Sequence, residues 1–178
     1  TVIVNPATLL NLVAGTAYAQ TLAASGGAAP YGFAVTAGGL PAGITLSGSG
    51  VLSGTSNQVG TYNFTVTATD HFGQSGNRAY SVTIAAPVLA LTPASGTLVA
   101  TYGAPFSQVF ATVGGSGSSS LVVTGTLPAG LSFSGGTLSG TPTAPGSYPI
   151  TVTATDTLLT GVGAPFTVSN SYTIDVPA

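Results

Sequence analysis

Two stretches of the chain alternate apolar and polar residues with a strict period of two. From Tyr62 to Asp70, the apolar set Tyr62, Phe64, Val66 and Ala68 alternates with Asn63, Thr65, Thr67 and Thr69. Tyr148, Ile150, Val152 and Ala154 repeat the arrangement further on. Successive side chains of a strand point to opposite faces, so each stretch predicts a half-buried β-strand. Tyr80, Val82 and Ile84 continue the pattern, as do Tyr172, Ile174 and Val176. No segment sustains the i, i+3, i+4 spacing of an amphipathic helix. Turn clusters such as Gly38-Gly39, Gly48-Ser49-Gly50 and Gly135-Gly136 divide the strands at the short intervals of an antiparallel sandwich.

The pattern occurs twice because the chain is a tandem pair. Leu40-Pro41-Ala42-Gly43-Ile44 returns as Leu127-Pro128-Ala129-Gly130-Leu131, and Leu52-Ser53-Gly54-Thr55 as Leu138-Ser139-Gly140-Thr141. The eleven residues from Gly60 to Asp70 return from Gly146 to Asp156, each ending Thr-Ala-Thr-Asp. Pro6 matches Pro93, and the joint falls at about Ala85 to Val88. Each copy, 1–86 and 87–178, has the size of one immunoglobulin-like sandwich. The expected fold is all-β: two tandem sandwiches of about seven antiparallel strands each.

The run L-P-A-G-[IL]-x-[LF], then L-S-G-T, then G-x-Y-x-[FI]-T-V-T-A-T-D, then a closing Y-x-[VI]-x-[IV] strand, resembles the putative-Ig repeat of the cadherin-like, dystroglycan-type group. The resemblance covers nearly the whole chain. It implies an immunoglobulin-like, cadherin-like module repeated in large surface or secreted proteins of bacteria. It implies no particular ligand.

Composition narrows the chemistry. Of 178 residues only Asp70, Asp156, Asp175 and Arg78 carry a formal charge, and charged residues make up 2% where about 25% is usual. One Arg cannot neutralise a phosphate backbone, so a nucleic-acid partner is excluded. Disorder is excluded too, because 44% of the residues are hydrophobic. Without Cys and with a single His, zinc-type sites are not available. Mean hydropathy is +0.54, yet Ser, Thr, Asn or Gly breaks every apolar run short of the roughly 18 residues of a membrane span. Ala17-Tyr18-Ala19 imitates a signal cleavage site, but no basic segment precedes it and the second copy has a counterpart at 104–108. A chain opening at Thr1 without Met reads as a piece of something longer.

Few residues are candidates for a site. Asp70 and Asp156 end their strands where cadherin-like modules can bind calcium, but Ca²⁺ wants six to eight oxygens and the joint offers no second carboxylate. The expectation is instead that each Asp bonds N–H groups of its own loop, with no cofactor. Asp70, His71 and Arg78 share one hairpin; neighbours on a strand face opposite ways, so the expected arrangement is a surface Asp70–Arg78 pair rather than an acid–base relay. Tyr31, Phe72, Tyr102 and Phe166 fall in or near loops and are the candidates for a shallow glycan site. The outward Thr rows are expected to be a solvated sheet face, since sheet twist spoils the flat lattice an ice-binding surface needs. The hairpin after Asp156 is six residues longer than that after Asp70, and its insertion 158–166 is apolar, which favours docking on the first copy over a loop folded back on its own sandwich.

These readings converge on a non-catalytic extracellular stalk or spacer in a large bacterial surface or secreted protein, whose partners are neighbouring repeats. The alternative is an adhesive module for a glycan, host protein or like repeat, or a carbohydrate-binding accessory domain of a secreted enzyme. A chain with so few ionisable groups should also change little in stability with pH or salt.

Overall fold

The computed structural model describes all 178 residues, in strands and turns without an α-helix; no helix is long and apolar enough to cross a membrane. Two compact units form: Thr1–Pro87 together with Leu159–Ala164, and Val88–Leu158 together with Pro165–Ala178.

Within the first unit, Gln58–Thr69 and Ser75–Ala85 form a long antiparallel hairpin. Gly32–Gly38 pairs with the second half of Gln58–Thr69, and Leu12–Val13 joins Ser75–Ala85 in parallel. The facing sheet is Ala17–Thr21, Val51–Thr55 and Ile44–Leu46. The second unit repeats this plan. One sheet runs Gly96–Val99, Thr167–Val176, Gly146–Asp156, Ser119–Gly125, and the other Phe106–Val109, Thr137–Gly140, Leu131–Ser134.

Alternation places the core where the sequence predicts. Phe64, Val66, Ala68, Tyr80, Val82 and Ile84 are buried in the first unit; Ile150, Val152, Ala154, Tyr172, Ile174 and Val176 are buried in the second. The intervening Thr side chains form an outward polar face whose hydroxyls bond across strands, as Thr36 with Thr67 at 2.8 Å and Thr153 with Ser169 at 2.8 Å.

Each copy contributes seven strands to its own sandwich, two of them interrupted. The first strand pairs with one sheet at Ile3–Asn5 and with the other at Leu12–Val13, so it crosses between layers at Pro6, which has no N–H to give a ladder. The next strand breaks at buried Leu22, whose N–H bonds Gly50 O at 2.7 Å; Phe110 does the same with Gly136 O at 2.7 Å in the second unit. Tyr80 and Tyr172 fix the crossing: each buried ring donates its hydroxyl to the proline carbonyl, Pro6 or Pro93, at 2.7 Å. A buried hydroxyl needs such a partner. Tyr172→Phe is therefore expected to cost about 1 kcal/mol in an unfolding titration, with the fold retained.

The repeated L-P-A-G and L-S-G-T motifs also meet. Pro41 O accepts from Ile44 N at 3.0 Å, closing a turn with Gly43 at φ 88°, and Gly43 O accepts from Thr55 N at 3.2 Å. Gly54 lies directly against Gly43 O, where a side chain would overlap it. Gly130 and Gly140 make the same contact.

Candidate functional site: the aspartate-closed loops

The chain's carboxylates are placed by strand ends. Asp70 follows Gln58–Thr69 and is buried, facing the loop that connects Ala23–Ser25 to Gly32–Gly38. Its Oδ1 accepts from Phe72 N at 2.9 Å and Gln74 N at 2.8 Å, and its Oδ2 accepts from Ala28 N at 3.1 Å. His71 N donates to Ala28 O at 2.9 Å, so the two loops are joined from both sides. Asp156 has the same role in the second unit. Its Oδ1 accepts from Leu158 N at 3.0 Å and from the Ser116 hydroxyl at 2.7 Å, and its Oδ2 accepts from Ser116 N at 2.6 Å. Gly115 packs between the Asp156 carboxylate and Leu89, which places Asp156 at the end of the unit where its chain begins. Each aspartate thus closes the loop of its own hairpin and ties it to a second loop, one that connects two sheets.

The Ala28 N–H holds the Asp70 carboxyl below its ordinary range, in opposition to burial, with further help from the N–H groups of Gln74 and Phe72 and from His71. A carboxyl depressed in the fold contributes stability that is complete above its unfolded value and is lost as pH falls through the folded one. The melting temperature of the first unit is expected to be constant from about pH 9 to about pH 5 and to fall below about pH 4. A thermal melt at each pH, read by circular dichroism, measures it.

Arg78 corrects one expectation: it does not serve as the surface partner of Asp70. Its Nε donates to Val4 O at 2.6 Å, pinning Ile3–Asn5 from the neighbouring hairpin. Asp70 already directs its oxygens at backbone N–H groups. Asp175 lies at the far end of its hairpin, opposite Ser147, while Asp156 lies opposite Ser119 at the other end. No group of three His, Cys, Asp or Glu side chains converges.

The aromatic candidates separate into different places. Tyr31 is half-buried, with its hydroxyl on Gly26 O at 3.2 Å. Phe72 is 76% exposed with its ring edge-on to His71, on the same loop pair as Tyr31. In the second unit Tyr102 is 53% exposed in a loop held by Gly103 N on Pro142 O. Phe166 is half-buried beside Asp156, whose N–H donates to Phe166 O at 2.9 Å. Pro142 precedes Gly146–Asp156 and Asp156 ends it, so Tyr102 and Phe166 occupy opposite poles of their unit. The four do not form one surface.

Two features escape reading by residue pattern. The hairpin base is closed by Asp70 N on Gln74 O in the first copy but by Asp156 N on Phe166 O in the second, and the extra residues include a strand. Thr160–Gly161 runs parallel to Gln58–Val59 as part of the first unit, with Thr160 N on Asn57 O at 3.0 Å, Val162 N on Val59 O at 3.0 Å, and Leu159 buried. Within the apolar insertion, Thr160–Gly161 thus takes a defined strand position, and Leu159–Ala164 belongs to the first unit. The second feature is an open depression of about 510 Å³ on the outer sheet face of the second unit, lined by Thr97, Thr124, Pro149, Thr151 and Thr173. A smaller one of about 320 Å³ lies at the equivalent Gly38, Asn63, Thr65 and Ser81 of the first. Neither gathers a carboxylate, imidazole or cation.

A family model described as Putative Ig domain matches residues 1–85 and again 87–177. No curated protein matches the chain. Among solved structures, a putative alpha-galactosidase of Bacteroides fragilis aligns at 24% identity and TM-score 0.41, over 47% of this chain and 17% of that one. Cadherin domains EC1-4 of Drosophila N-cadherin align at 13% identity and TM-score 0.39, over 96% of this chain and 48% of theirs. The titin domains z1z2, solved in complex with telethonin, align at 13% identity and TM-score 0.48, over 95% of this chain and 91% of theirs. The chain thus spans under half the length of the first two.

Proposed function

The chain belongs to the Putative Ig domain family through both of its halves, and from that premise we propose that it is a non-catalytic structural pair, a spacer within a larger extracellular protein of bacterial surface or secreted type. One observation carries the reading: the polar groups that would have to build a site bind backbone instead. Asp70 and Asp156 close loops, Arg78 holds Val4 O, and Tyr80 and Tyr172 hold Pro6 and Pro93. General acid–base chemistry needs titratable groups within hydrogen-bond reach of a reacting atom, and these are directed into the fold. The near-absence of charge supports the same reading, since such a surface gives few handles to a charged partner.

Calcium is not required in this reading. The melting temperature is expected to be the same in excess calcium and in chelator; a rise with calcium would give Asp70 and Asp156 the inter-domain role of cadherin carboxylates. The functional test offers the bead-coupled chain to a panel of polysaccharides and matrix proteins, with calcium and with chelator. No saturable binding is the expected result. The adhesive reading rests on Phe72, the large aromatic most open to solvent; saturable binding lost in Phe72→Ala would establish it in place of the spacer.

A further inference from the structure

We propose that Ser119–Gly125 is a self-association edge, through which two copies of this chain pair antiparallel about a two-fold axis. It is the terminal strand of its four-stranded sheet, so one side of its backbone has no neighbouring strand. Its ladder to Gly146–Asp156 is continuous over seven pairs, from Ser119 opposite Asp156 to Gly125 opposite Ile150. The equivalent strand of the first unit, Gly32–Gly38, is interrupted: its register shifts between Val35 and Ala37, which leaves Thr36 as an extra residue. A bulge bends and twists an edge away from regular pairing, and charged residues or proline guard edges by other means. Ser119–Gly125 has none of the three. Val122 is 57% exposed on the outer face, and Leu121 and Val123 remain only half-buried on the inner face.

The occupant follows from the strand's own chemistry. An extended edge is recognised by another extended backbone. A two-fold axis through Val122 sets Val122 against Val122, Leu121 against Val123, and Ser120 against Thr124. Like therefore meets like on each face, as an isologous contact requires. A formal charge of −2 over the whole chain opposes this only weakly, and an edge without charge has nothing to attract an acidic or basic partner. So short a ladder buries little surface, which makes the dimer weak and concentration-dependent. This proposal is independent of the spacer reading.

The test is sedimentation velocity of the full chain up to about 1 mM, a range suited to weak contacts, with hydrogen exchange at the two ends of that range. The expected result is an average mass rising toward twice that of one chain, with slower exchange in Ser119–Gly125 at high concentration and no change in Gly32–Gly38. Val122→Lys should weaken the association tenfold or more, whereas Ala34→Lys, its equivalent on the bulged strand, should not. A chain that stays monomeric throughout would overturn the proposal. So would association that Val122→Lys leaves intact, or that protects some other segment. A monomer whose Ser119–Gly125 amides become protected only on adding a foreign strand-forming peptide would give the edge to another partner.

Discussion

Replacing Gly54 by valine is expected to unfold the first unit at temperatures the parent chain tolerates. Gly54 has φ 137°, and a Cβ there would overlap the carbonyl oxygen of Gly43, itself in a left-handed turn at φ 88°. Gly43 O is engaged by Thr55 N, so it cannot move away without losing that bond. A branched residue in an unfavourable φ region costs on the order of 1–3 kcal/mol before any clash, and the overlap with backbone adds to it. The total should reach about 3 kcal/mol or more, or roughly 12–24 °C in melting temperature for a domain this size. Gly140→Val should do the same to the second unit, where Gly130 and Gly140 make the same contact. Gly39→Ala is the control: no heavy atom lies within 4 Å of its added Cβ and it requires no left-handed backbone. Scanning calorimetry reads all three. Equal melting of Gly54→Val and the parent would mean that the two motifs do not touch.

Asp156→Ala comes second in expected effect. The substitution leaves the N–H groups of Ser116 and Leu158 and the Ser116 hydroxyl without their carboxylate. A buried donor deprived of its partner costs about 1–3 kcal/mol, but Leu158 is 49% exposed and the Ser116 hydroxyl can rotate toward water, so a loss of about 1–3 kcal/mol is expected for the second unit. Asp156→Asn should be milder, because one amide oxygen still accepts while the NH₂ faces donors it cannot serve. Urea unfolding followed by circular dichroism measures both. If the alanine variant lost stability only in calcium, and none in chelator, the carboxylate would be a metal ligand and not a loop closure.

The two experiments bear on features that were legible in the sequence to different depths. That L-P-A-G and L-S-G-T recur is visible in the residues; that Gly43 and Gly54 press against each other is not, since ten residues of hairpin intervene and the contact exists only when the strands pair. The aspartates were better placed for inference, because an Asp at a strand end bonds backbone a few residues on by a local rule. Its second partners, Ala28 and Ser116, lie about 40 residues away and come from the fold. Arg78 shows the same limit. An opposite charge on the same hairpin suggested Asp70 as its partner, but a guanidinium extends far enough to reach the adjoining strand, and its Nε donates to Val4 O.

By itself the sequence determined the two units, their strands and the faces those strands bury, because period-two alternation and turn residues act over a few positions and each copy states them independently. It also settled how little ionic chemistry the chain has, because four charged side chains are four in any fold. Only the tertiary structure decided where the first strand crosses between sheets, that Tyr80 and Tyr172 hold that crossing, that Leu159–Ala164 lies in the first unit, and that one edge carries a bulge while its counterpart does not. Each of these depends on which segments meet across dozens of residues, and Gly32–Gly38 differs from Ser119–Gly125 there by one inserted residue whose effect appears only against the neighbouring strand.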